Sequence, residues 1–177
     1  MNPVDLVLTP TGLRFMGRRY PCTIGSGGIR PDKCEGDGAT PAGHHQIVAI
    51  YYRPDRMAKP SYWATPIRPG DLWSDAVDHP EYNQLVRAPY AHSHETLRRA
   101  DPLYDLVFIT DRNWPNAKPR RGSCIFLHQW RRPGYPTAGC IAFRRDHLRQ
   151  IAGLVRPGTR LIVRKFDTLN RSRAPQI

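Results

Sequence analysis

The chain lacks both a membrane-spanning segment and a recognisable leader. No stretch approaches the roughly 20 apolar residues that a spanning helix needs. The first apolar run follows no basic segment and is broken by Asp5 and Pro10, unlike the core of a secretory signal peptide. Taken as a full-length chain, the protein is therefore expected in the cytoplasm. If an export signal was removed, it is expected in the periplasm or the cell wall.

Sequence motifs for metal or redox sites are also missing. None of the four cysteines lies in a Cys-x-x-Cys pair, which argues against a zinc ribbon and a thioredoxin-type site. Without a secretory context, a disulfide framework is disfavoured as well. His92 and His94 could share one face of a strand, but no third ligand follows at a suitable spacing. The sequence therefore predicts no metal.

Acidic residues are scarce, with 15 Asp and Glu against 27 Lys and Arg, which leaves a net charge of +12. This surplus fits a carboxylate-bearing or polyanionic substrate, nucleic acid, or a generally basic protein. The arginine pairs are scattered, and no zinc finger or aromatic RNP string accompanies them, so nucleic acid is disfavoured. A basic, non-catalytic module that binds nucleic acid or murein stays open as the alternative to an enzyme.

The remaining composition favours a β-rich chain. It has 18 prolines and 14 glycines and few helical periods. Residues 103–110 and 122–128 are predicted strands, and a short helix is predicted over 147–155 with Asp146 as its N-cap. Residues 53–90 have little periodicity and are predicted to form a long excursion packed on the core. We expect one domain over residues 1–166 and a loose tail over 167–177.

The sequence around His128 and Cys140 predicts a catalytic pair. Both residues border short apolar segments, and the intervening loop contains two prolines and a glycine. Such a loop can fold the second strand back beside the first and bring imidazole and thiol together. A cysteine nucleophile needs such a partner, because an unperturbed thiol is mostly protonated at neutral pH. The competing interpretation of either residue alone is a buried structural side chain.

The same residues carry a resemblance to a known family. His128 followed by Thr137-Ala138-Gly139-Cys140 resembles the signature of the L,D-transpeptidase (YkuD-like) catalytic domain, a histidine and then Ser/Thr-x-Gly-Cys. Residues 40–43 resemble its Thr-Pro-x-Gly turn, and Tyr104-Asp105 resembles the start of one of its strands. The resemblance implies a mainly β fold, a mixed β-sandwich or barrel-like sheet with one short helix after the nucleophile.

The resemblance also implies roles for individual residues. Cys140 is the nucleophile, His128 its general base, the Gln129 carbonyl the group that holds the ring, and the Gly139 N–H an oxyanion donor. Candidate substrate contacts are residues near this motif and one aromatic residue of the excursion, for which local core packing is the favoured interpretation. They are Thr137, Tyr104, Arg131, Arg132 and Trp73.

The implied reaction breaks the L,D bond before the terminal D-Ala of a peptidoglycan stem tetrapeptide, through a thioester and without metal or cofactor. The expected partners are stem peptides or muropeptides, and carbapenems are expected to acylate the cysteine. The acceptor is an amine in a transpeptidase and water in a carboxypeptidase, and the absent leader favours water. Ala138 stands where many members have histidine, so a side-chain donor is missing there.

Overall fold

The structure of the protein is a computed structural model that describes Asn2 and residues 4–165. Strands account for 35% of the described residues and helix for 6%, with one helix among them. The prediction of a mainly β fold with one short helix is confirmed. The predicted tail, 167–177, lies outside the described residues.

Fifteen strands and one helix follow one another along the described chain. Their bounds are β1 (Leu6–Thr9), β2 (Gly12–Phe15), β3 (Arg18–Tyr20), β4 (Cys22–Thr23), β5 (Ile29–Arg30), β6 (Thr40–Pro41), β7 (Gly43–Tyr52), β8 (Thr65–Pro66), β9 (Asp71–Ser74), β10 (Leu85–Arg87), β11 (His94–Thr96), β12 (Leu106–Thr110), β13 (Phe126–Gln129), β14 (Ile141–Phe143), α1 (Arg145–Leu154) and β15 (Arg160–Val163).

Ten of these strands form one sheet that nearly closes on itself. The order is β3-β2-β1-β15-β7-β12-β13-β14-β4, and β8 pairs with β7 beside this path. The first and last strands of the order, β3 and β4, are separated in sequence only by Pro21. The chain therefore links the two ends of the sheet, which gives it a barrel-like shape.

Strand β12 shows how the sheet separates two apolar cores. All five of its residues are buried, and their side chains alternate between faces. Leu106 and Phe108 pack into one core with β1, β2, β7 and α1. Val107 and Ile109 pack into the other, together with Trp73 and Phe126. The second core forms the base on which the candidate site is built.

The excursion over residues 53–90 is more regular than its sequence suggests. It contains β8, β9 and β10, and β9 lies between β10 and β11 in a small antiparallel sheet. Trp73 of β9 is 3% exposed, packs edge-on against Phe126 and donates its Nε1–H to Asn83. Trp73 therefore packs in the core, and its contact with substrate stays a prediction.

The helix begins two residues earlier than predicted, and its first turn is arranged differently. Arg144 occupies the N-cap position and makes no side-chain capping bond. Asp146, the predicted cap, lies in the first turn, where its carboxylate accepts two bonds of 2.6 Å from the Arg144 guanidinium. This bidentate pair holds the Asp146 carboxylate at the first turn of the helix, where negative charge is favourable. In the described part of the chain, no helix is long and apolar enough to cross a membrane.

Candidate active site

Strands β13 and β14 pair in parallel, which decides how histidine and cysteine approach each other. Leu127 lies opposite Ile141, and His128 lies opposite Ala142. The predicted fold-back would have made this pair antiparallel; instead, the loop of residues 130–140 crosses over to the start of β14. Because alternate residues share a face, Cys140 and Ala142 lie on the same face of the sheet as His128. Cys140 is two residues before Ala142, the residue opposite His128.

The hydrogen bond at Nδ1 defines the protonation state of the buried His128 ring. Nδ1 lies 2.7 Å from the Gln129 carbonyl oxygen, which can only accept, so Nδ1 carries the proton. Nε2 of the neutral ring is then the free base. Burial lowers the pKa of His128 to about 4, against the opposing effect of the Gln129 bond. At neutral pH the ring is therefore uncharged and able to accept a proton.

The Cys140 thiol is held by backbone groups in the resting structure. Its Sγ–H donates to the Cys124 carbonyl at 3.0 Å, and the Phe126 N–H donates to Sγ at 3.4 Å. Burial raises the pKa of the thiol to about 12, although the Phe126 bond acts in the opposite direction. The pair therefore rests as neutral thiol and neutral imidazole. Proton transfer requires Sγ–H to leave the Cys124 carbonyl and turn toward His128 Nε2.

The turn before Cys140, the predicted nucleophile, is held by the Thr137 side chain. Its hydroxyl donates to the Cys140 carbonyl at 2.6 Å and accepts from the Gly139 N–H at 3.1 Å. The donor that the resemblance assigns to an oxyanion is thus engaged within the turn at rest. Gly139 has a φ of +141°, a conformation that favours glycine. Thr137 therefore shapes the turn from which Cys140 projects.

A second threonine, in the separate two-stranded sheet of β5 and β6, anchors this turn. The buried Thr40 hydroxyl donates to the Gly139 carbonyl at 2.8 Å and accepts from the Gly25 N–H at 2.9 Å. The Ser26 N–H donates to the Thr137 carbonyl at 2.9 Å. Thr40 belongs to the Thr-Pro-x-Gly segment. That segment therefore serves the site by fixing the backbone of the nucleophile turn.

Adding a methyl group at Gly25 is expected to destabilise this anchor. A Cβ there would lie 2.1 Å from the Gly38 carbonyl oxygen and 2.9 Å from the Gly139 Cα. Both are backbone atoms, so Gly25→Ala should lower the free energy of unfolding by about 1–3 kcal/mol, the usual cost of overpacking. The matched control is Gly153→Ala in α1, where the nearest atom is 4.0 Å away.

The control should be neutral or slightly stabilising, because alanine is the better helix former. Urea unfolding followed by circular dichroism compares the two variants with the native chain. Equal stability of the Gly25 and Gly153 variants would contradict the close packing of the anchor.

Cys140 and His128 open into one cavity of about 630 Å³. Its walls come from distant parts of the chain, including the Gly25 and Gly38 turns, β11, and the loop between β13 and β14. A cavity of this size suits a small-molecule or peptide ligand. The cavity therefore brings a neutral thiol, a neutral base and a binding volume together, which is what a cysteine acyl-transfer site requires.

The family model of the L,D-transpeptidase catalytic domain matches residues 14–163 of the chain. The chain belongs to the L,D-transpeptidase catalytic-domain family. The family assignment made from the sequence is confirmed, and it implies an L,D-transpeptidase-type enzyme that acts on peptidoglycan peptides. No curated protein and no solved structure matches the chain.

The cavity of this L,D-transpeptidase domain includes some of the predicted contacts and omits others. Tyr104 lines it, with its ring edge-on to the His128 ring at 5.3 Å. Arg131 lines it as well. Arg132 is not among the lining residues, and its guanidinium lies over the Tyr135 ring, 4.9 Å from the centroid. Trp73 supports the cavity from the core beneath it.

Sequence reasoning missed the acidic part of the cavity wall of this L,D-transpeptidase domain. Glu35, Asp75 and Glu95 line it, together with Arg99. They come from three separate loops or strands, and none belongs to a motif. The sequence indicated only that acidic residues are scarce. A group of carboxylates in one cavity wall is therefore unexpected for this chain. Cys124 also lines the cavity; it holds the Cys140 thiol through its carbonyl.

Proposed function

We propose that this domain forms a thioester between Cys140 and a peptidoglycan stem peptide and releases the terminal D-Ala. The observation that carries the proposal is the placement of Cys140 and His128 on one face of β13 and β14, open to the same cavity. An amine or water would then take the acyl group. The family supports the reaction class, and the geometry supports these two residues as its chemical groups.

In the first half-reaction, Sγ attacks the carbonyl carbon while its proton passes to His128 Nε2. The same proton then goes to the leaving nitrogen as the C–N bond breaks, which leaves a thioester and free D-Ala. In the second half-reaction, Nε2 takes a proton from the incoming amine or water, and the thiolate leaves and is reprotonated. The Gln129 carbonyl keeps Nε2 as the basic nitrogen throughout, because it holds the Nδ1 proton.

The negative charge on the tetrahedral carbonyl oxygen needs donors, and Ala138 provides none from its side chain. The proposed donors are backbone N–H groups of the nucleophile turn. The Gly139 N–H would have to exchange its 3.1 Å bond with Thr137 for one to the substrate oxygen. Arg131, exposed at the cavity rim, is the proposed partner for a substrate carboxylate.

The test is incubation of the purified protein with a disaccharide-tetrapeptide, alone and with excess D-amino acid, read by mass spectrometry. Tripeptide alone would indicate transfer to water, whereas a dimer or an exchanged D-amino acid would indicate transfer to an amine. Every product should be absent with the Cys140→Ala variant. Unchanged tetrapeptide in both incubations would contradict the proposed function.

A further inference from the structure

The cavity contains a second thiol that the proposed reaction does not use. Cys124 and Cys140 both line the cavity, and both pack against the second core. Cys22 packs against the first core and Cys34 is exposed, and neither lines this cavity. All four cysteines are free thiols in the structure. Cys124 is therefore the one cysteine that shares the cavity with Cys140.

A hydrogen bond limits the distance between these two cysteines. The Cys140 Sγ lies 3.0 Å from the Cys124 carbonyl oxygen. That oxygen is about 2.4 Å from its own Cα, and a cysteine sulfur is about 2.8 Å from its own Cα, so the two Cα atoms are at most about 8 Å apart. A disulfide joins Cα atoms that lie about 4.4–6.8 Å apart, so a backbone shift of less than about 2 Å brings the pair into bonding range.

The segment that carries Cys124 is not tied into the sheet. Cys124 precedes β13, whose pairing with β12 begins at Phe126. Its N–H donates to the Asn83 Oδ1 at 3.1 Å, and its φ is +52°, which is uncommon for a residue other than glycine. A shift of Cys124 toward Cys140 therefore disturbs one side-chain hydrogen bond and leaves the strand ladder intact.

Both thiols are protonated at rest. Burial is the largest cause of the raised pKa of Cys124, and the charges of Glu95 and Cys140 add to it. Burial likewise raises the pKa of Cys140 to about 12. Since the thiolate is the form that reacts with oxidants, oxidation of Cys140 needs a base. His128 Nε2 is the base available in the cavity, as it is for the proposed acyl transfer.

We propose that Cys124 is a resolving cysteine, which forms a reversible disulfide with Cys140 when a peroxide enters the cavity. First, the Cys140 sulfur attacks one peroxide oxygen while its proton passes to His128 Nε2. The O–O bond breaks, and the leaving hydroxide takes that proton and departs as water. The Cys124 sulfur then attacks the Cys140 sulfenic acid, the S–O bond breaks, and the second hydroxide leaves as water with the Cys124 proton. The two thiols lose two electrons, and hydrogen peroxide is reduced to two waters.

The disulfide has two consequences for Cys140. It prevents oxidation of the sulfenic acid to the irreversible sulfinic acid, and it occupies the sulfur on which acyl transfer depends. A dithiol reductant restores both thiols by exchange. The loss of acyl transfer rests on the proposed function, whereas the disulfide itself does not.

Peptide mapping by mass spectrometry tests the disulfide without any turnover. Trypsin places the two cysteines in different peptides, residues 122–131 and 132–144. Protein treated with hydrogen peroxide and then blocked with N-ethylmaleimide should yield these peptides linked, with a mass loss of two hydrogens. Dithiothreitol should separate them. Cys140 oxidised to sulfinic acid while Cys124 stays a free thiol would overturn the proposal.

Two variants of Cys124 separate loss of the thiol from a change in packing. In Cys124→Ala and in Cys124→Ser, dimedone should label Cys140, and the sulfinic acid fraction should rise severalfold over the native protein. The matched control is Cys34→Ala, because Cys34 is exposed and lies outside the cavity. It should form the linked peptides at the native rate. A native level of sulfinic acid in both Cys124 variants would contradict a resolving role.

Release of D-Ala by the same samples distinguishes this inference from the proposed function. The oxidised protein should release as little D-Ala as Cys140→Ala, and dithiothreitol should restore the rate of the reduced protein. If the reduced protein releases none while the linked peptides form, the proposed function fails and the disulfide stands. Undiminished release by fully linked protein would overturn the claim that the disulfide blocks acyl transfer.

Discussion

Replacing Cys140 with alanine should abolish release of D-Ala while the fold is retained. Loss of an enzyme's covalent nucleophile typically costs on the order of 10⁴–10⁶ in rate. The variant also loses the Sγ–H bond to the Cys124 carbonyl and leaves the Phe126 N–H without its sulfur acceptor. Removal of such partners costs about 1–3 kcal/mol, so the melting temperature should fall modestly. Product formation by mass spectrometry and the far-ultraviolet circular dichroism spectrum measure the two effects.

The neighbouring Cys124 provides the matched control, because it lines the same cavity and its contact with Cys140 is made by the backbone. Cys124→Ala should keep most of the activity and should still gain the mass of one carbapenem at Cys140. An active Cys140→Ala variant, or a carbapenem adduct on Cys124 alone, would assign the nucleophile to the wrong residue.

The sequence predicted those parts of the fold that depend on short-range patterns. The alternation in β12 and the apolar residues around His128 were visible because each strand needs only its own side chains to face two cores. The direction of β14 was not visible. A loop with two prolines and a glycine is compatible with a hairpin and with a crossover. The observed strand is parallel to β13 and antiparallel to β4, and both partners lie far from a local pattern.

In the candidate site, too, the sequence predicted the residues that are close together in the chain and missed those that come from distant segments. The signature placed His128 and Cys140 in one chain segment, and the Gln129 carbonyl lies next to the histidine in sequence. Glu95 lies in β11 and Asp75 directly after β9, and the pairing of these two strands brings both to the cavity, so no local pattern could identify them. Whether Trp73 lines the site or belongs to the core was open from the sequence for the same reason. Its burial depends on Phe126, far away in the sequence.

The neutral resting pair is a second feature that the sequence did not predict. A histidine beside a cysteine can stabilise a thiolate in a charged pair, or remain neutral and take the proton during attack. Burial acts on both groups here and favours the uncharged forms, with the pKa of His128 near 4 and that of Cys140 near 12. In the proposed mechanism, the histidine therefore acts as a base in the transition state and does not generate a thiolate at rest.

Replacing His128 with glutamine should lower the rate of acyl transfer by about 10²-fold or more, the usual effect of removing a positioned base. The native rate should fall as the pH drops through about 4, because a protonated Nε2 cannot accept the thiol proton. The variant should lose this acid limb.

The pH dependence of the unfolding free energy gives an independent measurement of the protonation of His128. The unfolded histidine takes up a proton near pH 6.5 and the folded one only near 4, so the unfolded state binds more protons between these values. The native protein should therefore lose up to about 3 kcal/mol of unfolding free energy over this interval, and His128→Gln should lose less.

His45→Gln is the control: His45 is also buried with a lowered pKa, but it lies outside the cavity. That control should keep the acid limb of the rate. A His128→Gln variant that retains near-native turnover with the same acid limb would remove His128 from the mechanism.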